Sequence, residues 1–137
     1  MAPHYSIFVH SHSIFLIGMM GSGKSTTGEQ LAKLLGWPFI DLDLRIEDQQ
    51  RCSIAQIFSE KGEKGFRLLE REALQSVLAL ASPAVIACGG GTPCFFDNME
   101  NMKNSGWVVY LQTPVEVLKK RLVSGDPERP LLSDRDL

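Results

Sequence analysis

The chain has 137 residues, 44% hydrophobic and 22% charged, with a formal net charge of −2 and a pI near 5.9. These values fit one globular domain and exclude a general pull toward nucleic acid or an anionic membrane surface, so any basic chemistry must be local. No run approaches the roughly eighteen apolar residues of a membrane span, and Cys52, Cys88 and Cys94 form neither a C-x-x-C pair nor an even disulfide set, so they read as small buried hydrophobes in a reducing cytoplasm.

Met1–His12 contains every histidine of the chain, His4, His10 and His12, and reads as a poorly ordered leader. It lacks the basic n-region of a signal peptide. Ser13–Ile17 is a short apolar run of buried-strand type, closed by Gly18. A helix is predicted from Lys24, with Gly28, Leu31, Ala32 and Leu35 on one face and Gly36 as its stop. Pro38–Asp41 reads as a second strand ending in acids. Ser53-Ile54-Ala55-Gln56 has the form of a capping box and opens another helix, after which Phe66, Leu69, Ala73, Val77 and Leu80 recur at helical spacing. Ala84–Ala87 is a third strand running into Gly89-Gly90-Gly91, and Trp107–Leu111 is a fourth. Thr113-Pro114-Val115-Glu116 joins a capping box to a proline at the first helical position, which predicts a last helix to about Val123. Strands alternating with helices predict an α/β fold in three layers, its parallel sheet covered on both faces.

Gly18-Met19-Met20-Gly21-Ser22-Gly23-Lys24-Ser25 matches G-x-x-x-x-G-K-[ST] at every fixed position. Such glycines let the backbone curl into a nest whose N–H groups point at phosphate oxygens, and the helix that follows adds its positive end. Lys24 is placed to reach the β- and γ-phosphates of ATP, and the Ser25 hydroxyl to ligate Mg²⁺. Gly21, Ser22, Gly23 and Thr26 complete the expected phosphate cradle. The motif defines the nucleotide end alone.

The acceptor end must lie along the same edge, outside the carboxyl ends of the strands. Asp41 and Asp43 follow the second strand and lie on one side of the chain if extended geometry persists. One suits a water-mediated metal contact and the other an attacking hydroxyl, although such a pair taken alone usually means a solvated loop or a helix cap. Gly89–Gly91 allow close approach of backbone amides to a ligand, or simply a turn. Arg67 and Glu70 share a helix face, where a surface ion pair is the ordinary meaning. Phe66, on the core side, would pin Arg67 at a pocket rim, where a guanidinium suits a carboxylate. Ser124–Pro130 reads as a mobile loop whose Arg129 is positioned to swing over a transferring phosphate. A lone loop arginine is more often simply solvated, and Arg121 on the last helix has the same ambiguity.

The order of these motifs, G-x-x-G-x-G-K-S, F-I-D-L-D, S-I-A-Q-I-F, G-E-K-G-F-R-L-L-E, G-G-G and R-P-L-L, closely resembles that of the shikimate kinases from Ile14 to Leu132. The resemblance implies a P-loop NTPase fold of the nucleoside-monophosphate kinase group over residues 13–137, and transfer of the γ-phosphoryl of ATP to the 3-hydroxyl of shikimate. Lys24 and Ser25 match the family's phosphate and Mg²⁺ residues, and Asp41 one near the metal. Asp43 matches the carboxylate that holds the shikimate hydroxyls and is the candidate base. Arg67 and Gly89–Gly91 match shikimate-binding positions, with Phe58 and Phe66 lining that pocket. Arg129 matches the lid arginine and Arg121 one that stacks on adenine. A cytoplasmic monomer with no nucleic-acid or membrane partner is implied for the family-like full-length form. The family pattern continues with a further shikimate-binding arginine, a fifth strand, an adenine loop and a closing helix, so a C-terminally incomplete domain is expected that is poorly stable, nearly inactive and prone to associate through an apolar edge at Trp107–Leu111. Rival expectations are another P-loop kinase, such as a gluconate or nucleotide kinase, and a nucleotide-binding fragment without turnover.

Overall fold

The alternating side chains of Ser13–Ile17 form the first strand, β1, in a computed structural model that describes residues 12–18 and 21–112. The elements that follow are helix α1 (Lys24–Leu35), strand β2 (Phe39–Asp41), helix α2 (Leu42–Gln50), helix α3 (Ile54–Leu78), strand β3 (Val85–Ala87), a 3₁₀ turn (Thr92–Cys94), helix α4 (Asn98–Ser105) and strand β4 (Gly106–Tyr110). The sheet order is β2-β3-β1-β4, and every pairing is parallel. β1 and β3 are therefore central, which explains why both are almost wholly apolar. Among the described residues β4 lies at an edge, with Trp107, Val109 and Tyr110 exposed.

Successive residues of β1 supply two cores, as strand alternation requires. Phe15 and Ile17 pack on one side of the sheet with Leu42 and Ile46 of α2, Ile57, Phe66, Leu74 and Val77 of α3, and Met102 of α4. Leu16 packs on the other side with Ala32 of α1, joined by Ile14, Leu31 and Leu35. Helices thus cover both faces, the three-layer α/β arrangement expected from the alternation of elements. None of the described helices is long and apolar enough to cross a membrane.

Gly36 ends α1 in a left-handed conformation (φ 70°), with its N–H on the carbonyls of the last turn. Ser53 caps α3, its hydroxyl accepting from the Gln56 N–H at 3.1 Å. A residue with non-helical dihedrals, Gly62 (φ 69°, ψ −176°), interrupts α3 and divides it into two stretches.

Two helices depart from the sequence reading. Extended geometry does not persist beyond Asp41: the chain turns directly into α2, and Asp43 lies in its first turn. The Asp41 carboxylate causes this, because its Oδ1 accepts from the N–H groups of Asp43 (3.0 Å) and Leu44 (3.2 Å). Only Leu42 and Ile46 of α2 are buried, yet each such side chain stabilises the helix by about 2 kcal/mol relative to exposure. The second helix is α4, whose polar sequence is held by Asn98 and Met102, both fully buried. The cysteines also differ from one another: Cys88 is buried, Cys52 half-buried and Cys94 exposed, so Cys94 is no core residue. The expected helix Thr113–Val123, the loop Ser124–Pro130 with Arg129, and Arg121 lie outside the described residues, as does the leader before His12.

Candidate active site

The phosphate loop leaves the carboxyl end of β1, in the centre of the sheet, and enters α1 at Lys24. Gly21 (φ 81°) and Gly23 (φ 95°) take left-handed conformations that residues with a Cβ rarely adopt. No side chain caps α1, so its positive end faces the loop. Lys24 is 4% exposed, and its Nζ donates to the Gly18 carbonyl at 2.6 Å, which draws the ammonium back across the loop. Thr26 sits exposed in the first turn, and Ser22 is buried.

Asp41 links this loop to β2, two strands away across β3. While Oδ1 caps α2, Oδ2 accepts from the Ser25 hydroxyl at 3.3 Å. A hydroxyl and a carboxylate in that relation are hard oxygen donors of the kind that Mg²⁺ prefers. Asp43, in the first turn of α2, has its Oδ1 against Gly89: a Cβ built on Gly89 would lie 3.2 Å from it. Burial, with Asp41, Glu70 and Glu47 nearby, pushes the Asp43 carboxyl up to about 6, and Lys24 opposes this only in part. Cys88, buried at the end of β3 beside the same charges, is pushed up to about 12 by burial, so its thiol stays protonated.

Arg67 belongs to α3 and projects toward the glycine run. Its Nη1 donates to Glu70 Oε1 at 3.0 Å. This is not the surface ion pair that the spacing alone suggested, because the Glu70 side chain is completely buried and that of Arg67 is 15% exposed. The second Glu70 oxygen accepts from the Thr92 hydroxyl at 2.8 Å. The Thr92 carbonyl accepts from Asn98 Nδ2 at 3.0 Å. Gly91 packs so closely on the guanidinium that a Cβ there would fall 2.6 Å from Nη2. A side chain at 91 would therefore displace the Arg67 guanidinium from this position. Phe66 is buried and stacks on the half-exposed Phe58 with ring centroids 4.6 Å apart. Gly90 is exposed in the turn.

Lys24, Ser25, Asp41, Asp43, Phe58, Phe66, Arg67 and Gly89–Gly91 thus come from elements that end or pass along one edge of the sheet. Glu70, Thr92 and Phe95 belong to the same constellation and were not singled out as ligand-facing groups in the sequence. Two signals mark Thr92 and Phe95: the position of Thr92 directly after the glycines, and the pair of aromatic residues three places on.

A central strand that feeds a glycine loop and a buried lysine, beside carboxylates at the end of β2 and the start of α2, defines a P-loop kinase that takes its phosphoryl group from ATP. The sequence profile of the family described as shikimate kinase matches residues 20–137. The chain belongs to the shikimate kinase family. It is 51% identical over 122 residues to a shikimate kinase of Parabacteroides distasonis, covering 89% of this chain and 70% of that one. The crystal structure of a shikimate kinase from Bacteroides thetaiotaomicron superposes with a TM-score of 0.82 at 45% identity, covering 87% of this chain and 67% of the other. A shikimate kinase from Acinetobacter baumannii, solved in complex with shikimate, gives a TM-score of 0.79 at 41% identity, covering 85% and 64%. A gluconate or nucleotide kinase is not favoured by relatives of this kind.

Proposed function

We propose that the chain transfers the γ-phosphoryl group of ATP to the 3-hydroxyl of shikimate, giving ADP and shikimate 3-phosphate. The observation that carries this reading is the arginine at the acceptor end. Glu70 engages one nitrogen of the Arg67 guanidinium, and the Arg67 side chain remains 15% exposed. The group therefore retains donors for a planar anion, and the shikimate carboxylate is one.

In this reading Asp43 receives the proton of the attacking hydroxyl as its oxygen bonds to the γ-phosphorus, and the bond from that phosphorus to the β–γ bridging oxygen breaks. An acid with its midpoint at about 6 is ionised at neutral pH and remains basic enough to accept that proton. Lys24 stabilises charge on the β- and γ-phosphates, and the loop amides hold those phosphates in place. Ser25 and Asp41 would hold Mg²⁺, which supplies charge neutralisation on the phosphates when bound. Phe58, Phe66 and the Gly89–Gly91 backbone line the acceptor pocket. Arg121 and Arg129 are assigned to adenine stacking and lid closure from the family pattern alone.

The test is coupled ADP release with shikimate, gluconate and a nucleoside monophosphate as acceptors. Turnover should depend on shikimate. Equal turnover with gluconate, or ATP binding with no acceptor-dependent release, would refute the assignment.

A further inference from the structure

Arg67 is held by more than its ionic partner. Its guanidinium carbon lies 4.1 Å from the centroid of the Phe95 ring and 5.1 Å from that of Phe66. Phe95 ends the 3₁₀ turn Thr92–Cys94, the segment that also sends the Thr92 hydroxyl to Glu70. One short stretch after the glycine run therefore supplies an aromatic plate to the cation and a hydrogen bond to its counter-ion.

Phe95 is only half-buried and belongs to neither hydrophobic core. Its place in the fold is not explained by packing under the sheet. The next residue gives a second, independent sign. Phe96 adopts φ 51°, a left-handed conformation uncommon for a residue with a Cβ. Neighbours on an extended chain point to opposite sides. The left-handed turn instead brings both rings to α3, where Phe96 lies 5.0 Å from the guanidinium carbon of Arg71, one helical turn beyond Arg67. Backbone strain at Phe96 is thus associated with a tandem aromatic cover over two arginines.

We propose that Phe95 is a positioning residue for Arg67, holding the guanidinium plane so that its remaining donors meet the acceptor carboxylate edge-on. The inference rests on the assignment of Arg67 to that carboxylate. A ring over the face of a guanidinium attracts the cation and opposes rotation of its plane, and the donors radiate within that plane. A long side chain fixed in this way loses less freedom when the ligand arrives. Two coplanar bonds from the fork match the two oxygens of a carboxylate.

The experiment is calorimetric titration of shikimate, and of its carboxylate methyl ester, into the unaltered chain and its Phe95→Leu, Phe95→Tyr, Arg67→Ala and doubly substituted variants. Phe95→Leu should weaken shikimate binding about tenfold, the range of a desolvated cation–aromatic contact. It should leave ester affinity, ATP affinity and the melting temperature nearly unchanged. Phe95→Tyr, which keeps the ring, should stay within about twofold of the unaltered chain. In the Arg67→Ala background Phe95→Leu should add no further loss. Unchanged shikimate affinity in Phe95→Leu, an equal loss for the ester, or a loss that persists without Arg67 would each overturn the positioning role. Retention of shikimate affinity by Arg67→Ala would instead overturn the assignment of Arg67 itself, and the positioning role with it.

Discussion

Replacing Asp43 by asparagine should stabilise the folded chain at neutral pH while impairing the reaction. Asparagine keeps the shape of the side chain and removes a charge that burial and three neighbouring carboxylates oppose. The Asp43 midpoint moves from 3.8 in a model peptide to about 6 in the fold. At about 1.4 kcal/mol per tenfold change in proton affinity, that corresponds to about 3 kcal/mol against the ionised form. Solvent access to the partly exposed carboxyl reduces the effect, so a gain of about 2 kcal/mol is expected at pH 8. The folded chain binds this proton more tightly than the unfolded chain. Its contribution to stability is therefore complete below pH 3.8 and is lost as pH rises through about 6. Urea unfolding of both proteins without nucleotide at pH 4 and pH 8 measures the difference and cancels the other titrating groups. The gap should be about 2 kcal/mol at pH 8, or about 6 °C in melting temperature, and should nearly close at pH 4. Equal stability at pH 8, or a gap independent of pH, would refute the account of Asp43 as a charge held at a cost to the fold.

Lys24→Met should lower phosphoryl transfer at least about a hundredfold with little change in the melting curve, because methionine keeps the buried aliphatic stem, although it forfeits the bond to the Gly18 carbonyl. Undiminished ADP release would remove the role given to Lys24. Asp41→Asn keeps an oxygen to accept from the Asp43 and Leu44 N–H groups, so α2 should persist while the Mg²⁺ concentration for half-maximal activity rises about tenfold. If the shikimate KM rises instead, the roles of Asp41 and Asp43 are exchanged. Gly91→Ala puts a methyl group 2.6 Å from Arg67 Nη2 and should raise the shikimate KM about tenfold without moving the ATP KM. Parallel rises in both would assign Gly91 to the loop backbone rather than to the arginine.

The strands and the phosphate loop were legible because their signals are local. An apolar run closed by glycine makes β1, and a fixed spacing of glycine, lysine and serine makes the loop. Ser53 and Gly36 marked helix ends through side-chain and backbone chemistry that acts within one turn. α2 was not legible because its burial rests on Leu42 and Ile46 alone, embedded among charges, and its start depends on Asp41 acting as a cap rather than as the last residue of a strand. α4 failed for a similar reason, with Asn98 and Met102 buried in an otherwise polar stretch. At the site, Asp43 and Arg67 stood out by residue type and neighbours. The complete burial of Glu70 did not, since it arises from the approach of Thr92, a residue 22 positions away. Strand order lay beyond local pattern as well, because apolar runs look alike wherever they pair.

The order of the strands bears on how such an enzyme changes its acceptor over evolutionary time. The phosphate loop leaves β1, the glycine run leaves β3 beside it, and Asp41 leaves β2 one strand further out. Neighbouring strands sit about 4.8 Å apart, so the span from donor to acceptor is ruled by the hydrogen-bond ladder rather than by the loops. In the proposed site the side chains that select the acceptor away from its reacting hydroxyl come instead from α3 and the 3₁₀ turn, and neither carries the phosphate loop. Drift in those two segments can alter what is phosphorylated while the ladder keeps the reacting ends in register. A lineage can exchange one hydroxyl substrate for another without rebuilding the machinery that delivers phosphate.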